Sequence, residues 1–79
     1  MANGGLKSGA AASIVLNAVN EEAVAAFLAH RIGFLDIIRT VEAALAHANP
    51  ASPRSIAEVI DIDRGARALA QGLMTEIAA

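Results

Sequence analysis

Apolar residues recur every three or four positions along most of this chain, and two breaks divide the pattern into three stretches. One break falls at Gly33-Phe34, and the other spans Asn49–Arg54, where Pro50 and Pro53 stand close together. A period near 3.6 residues is that of an α-helix that buries one face, whereas a half-buried strand alternates at every second residue. The sequence shows neither a strand pattern nor an internal repeat. It therefore predicts an all-α fold.

The first two predicted helices are joined by a short turn. The first runs from about Ala10 to Arg31 and is expected to end at Gly33, since glycine is the usual left-handed cap of a helix. The second begins near Leu35 or Asp36 and ends at Ala48. Short connections place consecutive helices antiparallel, which predicts a small antiparallel bundle of three main helices over residues 10–79. Residues 1–9, rich in glycine, are expected to be a flexible leader.

The third helix is predicted to start at Ser55. Ser55 and Glu58 form the S-x-x-E capping box that opens many helices. Asp61 and Asp63 could also cap a fresh start, so one long helix or a short helix followed by a longer one are both open.

The first helix is expected to bury its larger apolar residues. These residues share one broad face: Leu16, Val19, Ala23, Val24 and Phe27. The opposite face would carry Ala18, Ala25, Ala29 and Glu21. Asn20 falls inside the apolar stripe and Asn17 on its flank. An unpaired buried amide costs about 1–3 kcal/mol, so both are expected to bond a neighbouring helix or the incoming chain.

Composition and spacing argue against most kinds of functional site. The chain has no cysteine, and its two histidines lack a partner at metal-binding spacing. Glu21 and Glu22 are adjacent, so they point about 100° apart and cannot face one substrate as a pair. No glycine-rich phosphate loop is present. The sequence therefore predicts no catalytic, cofactor-binding or metal-binding residue in this chain.

Charge argues against nucleic-acid and membrane partners. The net charge is −2 and the six basic residues form no stripe, which disfavours a small DNA-binding domain. Glu21, Glu22, His30 and Arg31 interrupt the apolar stretch over residues 10–32, so a soluble helix is expected there in place of a membrane span. The absence of cysteine and of a signal pattern suggests a cytoplasmic protein.

The stretch LNAVNEEAVAAFLAHRIGFLDI closely resembles the start of the C-terminal domain of the 1-deoxy-D-xylulose 5-phosphate reductoisomerase family. The matching residues are Leu16, Asn17, Ala18, Asn20 and Glu21 of the run L-N-A-x-N-E; Ala26, Phe27 and Leu28 of A-F-L; and Arg31, Ile32, Phe34, Asp36 and Ile37 of R-I-x-F-x-D-I. Near the end of the chain, Asp63, Ala66 and Arg67 match the family's D-x-x-A-R. The resemblance runs from about Gly9 to the end of the chain.

The resemblance implies that this chain is one domain of a larger enzyme. That family rearranges and reduces its substrate to 2-C-methyl-D-erythritol 4-phosphate, in isoprenoid synthesis by the non-mevalonate pathway, with NADPH and a divalent metal (Mg²⁺ or Mn²⁺). The residues that hold these groups lie upstream of the matched region, so the chain alone is expected to be inactive. It would be the remnant of a four-helix bundle whose first helix is absent.

Six matched residues are expected to have structural or interdomain roles: Asn17, Asn20, Glu21, Arg31, Asp36 and Arg67. The expected partners are the remaining domains of the parent enzyme and a second copy of the chain. Self-association would cover the face left open by the absent helix, near Leu16, Val19 and Phe27 or near Leu69 and Leu73. The alternative is a free-standing helical interaction or dimerisation module.

Overall fold

A computed structural model describes residues 2–48 and 52–78, with the side chains described from Ala10 onward. In these two segments every regular element is a helix: α1 (Ala2–Leu28), α2 (Phe34–His47) and α3 (Ile56–Ala78). Each helix contacts the other two. Helix α2 runs back along α1, and α3 then runs in the same direction as α1. The predicted all-α bundle of three helices is confirmed.

Helix α1 begins eight residues earlier than the sequence pattern predicted. The structure is helical from Ala2, whereas a flexible leader was expected over residues 1–9. Glycine weakens a helix by about 1 kcal/mol per residue, but extending a formed helix adds one hydrogen bond per residue. A few glycines at the end of a long helix therefore need not stop it. The division of the chain into leader and bundle stays a prediction.

The turn between α1 and α2 uses His30, and not Gly33, as the left-handed residue. His30 has φ 62°, and its N–H donates to the carbonyl of Phe27 while the N–H of Arg31 donates to Ala26. These two bonds form a Schellman motif, which satisfies carbonyl groups left free at the end of a helix. The expected cap was thus three residues too late.

Gly33 instead begins the next helix. It has extended backbone at the N-cap of α2 (φ −87°), and its N–H donates to the carboxylate of Asp36 over 2.9 Å. A carboxylate in the first turn also suits the helix dipole. Asp36 therefore has a local capping role that its position in the predicted helix already suggested.

Helix α3 starts at the predicted cap and continues without a second start. The N–H of Glu58 donates to the hydroxyl of Ser55 over 3.2 Å, while the Glu58 carboxylate accepts from the N–H of Arg54 over 2.7 Å. The capping box thus closes one residue further upstream than the usual pattern. Asp61 and Asp63 lie inside the helix, so the single long helix is the correct alternative.

The core between the helices consists mainly of alanine. Seven of the eleven buried apolar residues in the described part of the chain are alanines, accompanied by Val15, Val19, Ile32 and Met74. Small side chains allow helix axes to come close, and close packing between backbones replaces the burial of large side chains.

The face that α1 turns inward overlaps only in part with the predicted one, since Val19 and Ala23 are fully buried as expected. Ala18, placed outward by the sequence pattern, is fully buried, whereas Leu16, placed inward, is 44% exposed. The buried residues of α1 follow one line on the helix: Ala11, Val15, Ala18, Val19, Ala23 and Ala26. Val19 is therefore unavailable for association, and Leu69 and Leu73 pack against the core as half-buried residues.

One polar residue, Thr40 of α2, is fully buried among the apolar ones. Its hydroxyl donates to the carbonyl of Asp36 over 2.7 Å, one turn earlier in the same helix. A threonine hydroxyl can form its hydrogen bond within its own helix in this way, so it requires no partner on another helix.

Part of α1, Ala10–Leu28, is long and apolar enough to cross a membrane by length and composition. Helices in the core of a bundle pass the same test. Here one face of the stretch packs against α2 and α3, and its two glutamates bind a guanidinium of α3. These contacts are those of a bundle helix.

Candidate functional site

The most connected polar group in the described segments is the guanidinium of Arg67, which joins α3 to α1. It binds three carboxylates: Glu21 at 2.8 Å, Glu22 at 3.0 Å and Asp63 at 2.9 Å. Gln71, one turn further along α3, donates a short hydrogen bond to the other oxygen of Glu22. These five residues (Glu21, Glu22, Asp63, Arg67 and Gln71) form what we call the Arg67 cluster.

The protonation states in the Arg67 cluster follow from these bonds. The hydrogen bond from Gln71, followed by that from Arg67, holds the pKa of Glu22 below its ordinary value of 4.5. Hydrogen bonds to Asp63, Glu21 and Glu22 raise the pKa of Arg67, so its positive charge is fixed. Arg67 and Gln71 therefore hold the Glu22 carboxylate as a hydrogen-bond acceptor, which suits a link between helices.

The two glutamates converge despite being adjacent in sequence. They point about 100° apart on α1, as the helical geometry requires. A guanidinium presents five N–H groups in a broad planar fork, so one arginine lying between them can bind both. Adjacent glutamates were expected not to face one group as a pair, yet Glu21 and Glu22 both bind the guanidinium of Arg67.

The Arg67 cluster joins two motifs that are far apart in the chain. Glu21 ends the L-N-A-x-N-E run, and Asp63 and Arg67 belong to the D-x-x-A-R run. Arg67 follows Glu21 by 46 residues in the sequence. Two of the six residues singled out from the sequence, Glu21 and Arg67, are thus in direct contact. Gln71 was missed, and its spacing of four residues from Arg67 is the only local signal that could have suggested it.

Arg31 and Asp36 lie near the turn between α1 and α2. Arg31 reaches the amide oxygen of Gln71 at 3.4 Å, a long bond between exposed groups that extends the contact of α1 with α3. Asp36 caps α2 through Gly33 and lies 3.6 Å from Arg39. Both residues therefore have contacts within the bundle.

Asn17 and Asn20 lie outside the core. Both are exposed, and neither amide bonds another residue in the part of the chain that the structure describes. In that part of the chain they form no bond to a neighbouring helix, and the expectation that they bond a neighbouring helix or the incoming chain stays a prediction. Their exposure follows from the orientation of α1, which turns its alanine face inward and leaves the amides on its outer side.

The two amides line a pair of shallow grooves that meet at Ser13 and Asn17. The first, of about 380 Å³, is lined by Ser13, Leu16, Asn17 and Asn20. The second, of about 390 Å³, lies between α1 and the start of α3 and is lined by Ser13, Ile14, Asn17, Val59, Ile60 and Asp63. We call this surface the amide groove. It combines exposed apolar side chains with hydrogen-bonding groups, the mixture typical of a contact surface between proteins or domains.

The described residues also form no cluster suited to a metal ion. Within residues 10–48 and 52–78, no group of three or more histidine, aspartate or glutamate side chains could hold a metal ion. The three acids of the Arg67 cluster are all bound to one cation. The arrangement can orient helices and present a surface.

The family described as the DXP reductoisomerase C-terminal domain matches residues 1–69 of this chain. The reductoisomerase of Zymomonas mobilis is 51% identical over 74 residues, which are 94% of this chain and 19% of the relative. That of Aeromonas hydrophila is 48% identical over 71 residues, or 90% of this chain and 18% of the relative. The chain thus spans about a fifth of the length of these relatives.

A solved structure has a similar fold. It is the 1-deoxy-D-xylulose 5-phosphate reductoisomerase of Zymomonas mobilis in complex with NADPH. It matches 77% of this chain with a TM-score of 0.75 and 54% identity, and the match covers 16% of that protein.

Proposed function

Because the chain belongs to the DXP reductoisomerase C-terminal domain family, we propose that it serves as the helical support domain of a complete reductoisomerase. In that role it does not perform the chemistry. It holds the rest of the enzyme in position through the amide groove, while the Arg67 cluster keeps α1 and α3 in register.

The observation that carries this proposal is the exposure of Asn17 and Asn20. Asn17 and Asn20 belong to the L-N-A-x-N-E run of the family match, and they lie on a surface that the described part of this chain leaves exposed. An amide carries both donors and an acceptor, so it can pair with backbone groups of another segment. Apolar neighbours such as Leu16 and Ile60 would exclude water from the centre of that contact.

NADPH and the divalent metal of the reaction are proposed to be held by other parts of the enzyme. This chain does not fit either group, because it lacks a glycine-rich phosphate turn and its described acids do not converge around an open position. The solved neighbour in complex with NADPH is about six times longer than the matched region, which supports a nucleotide site elsewhere. We also propose that the complete protein is cytoplasmic.

A domain exchange tests the support role. The 74 matched residues of the Zymomonas mobilis enzyme are replaced by those of this chain, and NADPH consumption is measured with the DXP substrate. We expect the exchanged enzyme to stay active. The double change Asn17→Ala and Asn20→Ala should lower its activity or its melting temperature, while Glu76→Ala, an exposed change near the end of α3, should leave both unaltered.

The same double change in the isolated chain provides the comparison. Both amides are exposed there, so we expect the free energy of unfolding to move by no more than about 0.5 kcal/mol. An equal effect in the isolated chain and in the exchanged enzyme would refute the contact between the amide groove and the rest of the enzyme. It would leave the chain as a free-standing helical interaction module, the alternative function.

A further inference from the structure

A second exposed apolar surface lies at the turn that joins α1 to α2. Leu28 ends α1 and is 70% exposed, while Phe34 and Leu35 begin α2 and are 64% and 63% exposed. The turn between them is short, so these three side chains share one end of the bundle, and we call them the turn patch. Single apolar residues are common on protein surfaces, whereas a group of large ones marks a contact site.

The turn patch belongs to the family match and lies outside both the Arg67 cluster and the amide groove. Leu28 closes the A-F-L run, and Arg31 and Phe34 belong to R-I-x-F-x-D-I. Large apolar side chains gain stability when they leave water, yet the described part of this chain leaves Leu28 and Phe34 mostly exposed. A surface from outside the described residues would provide that burial.

The turn patch has a fixed shape. The ring of Phe34 rests on Phe27 of α1, edge to face, with the ring centroids 6.1 Å apart. Immediately before it, Gly33 donates to the carboxylate of Asp36 over 2.9 Å and accepts from the N–H of Asp36 over 3.1 Å. A surface that is already ordered in the free chain loses little conformational entropy when a partner binds.

Two guanidiniums beside the turn patch make its surroundings positive. Arg31 lies in the turn, and its bond is a long one of 3.4 Å to the neutral amide of Gln71. Arg39, in the second turn of α2, is two-thirds exposed and lies 3.6 Å from one oxygen of Asp36, whose other oxygen caps the helix. Neither guanidinium has the short contacts that Arg67 makes with three carboxylates. A partner that carries a carboxylate next to an apolar side chain complements this surface.

The turn patch and the amide groove can be contacted by one body. Leu28 follows Asn17 by eleven residues, which is close to three full turns of helix, so both lie on one side of α1 about 16 Å apart. Contact at two separate places prevents a domain from rotating about either one.

We propose that the turn patch is a second docking surface and that its occupant is an acidic, apolar segment of the remaining reductoisomerase. A large apolar side chain of that segment packs on Phe34 and Leu35, and a neighbouring aspartate or glutamate binds the guanidinium of Arg31. The source follows from size, because the relatives are about five times as long as the matched region. The inference rests on the support role proposed above and gives it a second point of contact.

Matched substitutions in the exchanged enzyme test the apolar part of this contact. Leu35→Glu and Ile56→Glu each place a carboxylate on an exposed apolar residue in the first turn of a helix, and Ile56 lies outside both surfaces. Leu35→Glu should slow NADPH consumption by at least about fivefold, and Ile56→Glu should change it by less than about twofold. In the isolated chain the two changes should shift the urea midpoint equally, because both positions are exposed there.

A second matched pair tests the charged part. Arg31 and Arg64 are both exposed, and each is changed to glutamate. Arg31→Glu should slow the exchanged enzyme by about tenfold, because it sets two carboxylates against each other, whereas Arg64→Glu should change the rate by less than about twofold.

The photoreactive amino acid p-benzoylphenylalanine in place of Phe34 identifies the occupant. After irradiation of the exchanged enzyme, we expect adducts with a segment outside the 74 matched residues. That segment should carry an aspartate or glutamate within about two residues of the attachment point, which is the reach of neighbouring side chains on an extended chain. Changing this acid to lysine together with Arg31→Glu should restore the rate, because the ion pair re-forms with exchanged signs.

The outcomes separate this proposal from the support role. An inactive exchanged enzyme would refute the support role and the turn patch with it. In an active enzyme, equal effects of Leu35→Glu and Ile56→Glu would overturn the turn patch and leave the role of the amide groove intact. Adducts confined to the matched residues, or on a segment without an acid, would do the same.

Discussion

The orientation of α1 can be tested by two substitutions that exchange the sizes of neighbouring side chains. Leu16→Ala removes bulk from the face that is exposed in the structure, and Ala18→Leu adds bulk to the face that is fully buried. Alanine and leucine are both strong helix formers, so intrinsic helix propensity contributes little to either change. The comparison therefore reports which face of α1 packs against the other helices.

The expected magnitudes follow from exposure. Complete burial of a leucine stabilises by about 1.5–3 kcal/mol, and Leu16 keeps 44% of its surface in water, so its loss should cost about 1 kcal/mol. Ala18 has no exposed surface, and an added isopropyl group must displace the facing helix, which costs about 1–3 kcal/mol. For a chain of this size the larger cost is a substantial part of a total stability of about 4–12 kcal/mol.

Urea unfolding followed by circular dichroism at 222 nm measures both values. With a slope of about 1 kcal/mol per molar urea, Ala18→Leu should lower the midpoint by about 1–3 M and Leu16→Ala by about 1 M or less. A larger cost for Leu16→Ala than for Ala18→Leu would refute the alanine-faced core and restore the orientation predicted from the sequence.

Three further outcomes are expected from the same assay. His30→Gly should stabilise by about 1 kcal/mol, because His30 holds a left-handed backbone that glycine adopts without strain, whereas Ala29→Gly in right-handed backbone should destabilise. Gly72→Ala should stabilise by up to about 1 kcal/mol, since an added methyl group meets open space. The pKa of Glu22 is depressed by Gln71 and Arg67, so its contribution is present above pH 4.5 and lost as the pH falls through its folded value. Glu22→Gln should therefore flatten this acid-side decline in stability, and an unchanged profile would contradict the role given to Glu22.

The sequence predicted only some of the residues of the candidate site. Glu21 and Arg67 stood out because they belong to recognisable runs. In the structure they form an ion pair that joins α1 to α3. The roles of Glu22 and Gln71 could not be predicted, because they depend on the height at which α3 passes α1. Asn17 and Asn20 were correctly singled out as unusual in an apolar helix, and the structure places both on its exposed side.

What the sequence by itself determined is local. The helical period and the cap at Ser55 depend on residues within one or two turns of one another, and both were confirmed. The predicted break at Asn49–Arg54 lies between α2 and α3, but Asn49 and Pro50 are outside the residues that the structure describes. The inward face of α1 was decided only by tertiary structure. That helix has apolar residues on two sides, so its own pattern is compatible with either orientation. Close approach of α2 and α3 along the alanines, together with the bonds of Arg67 to Glu21 and Glu22, selects one orientation and turns the amides outward.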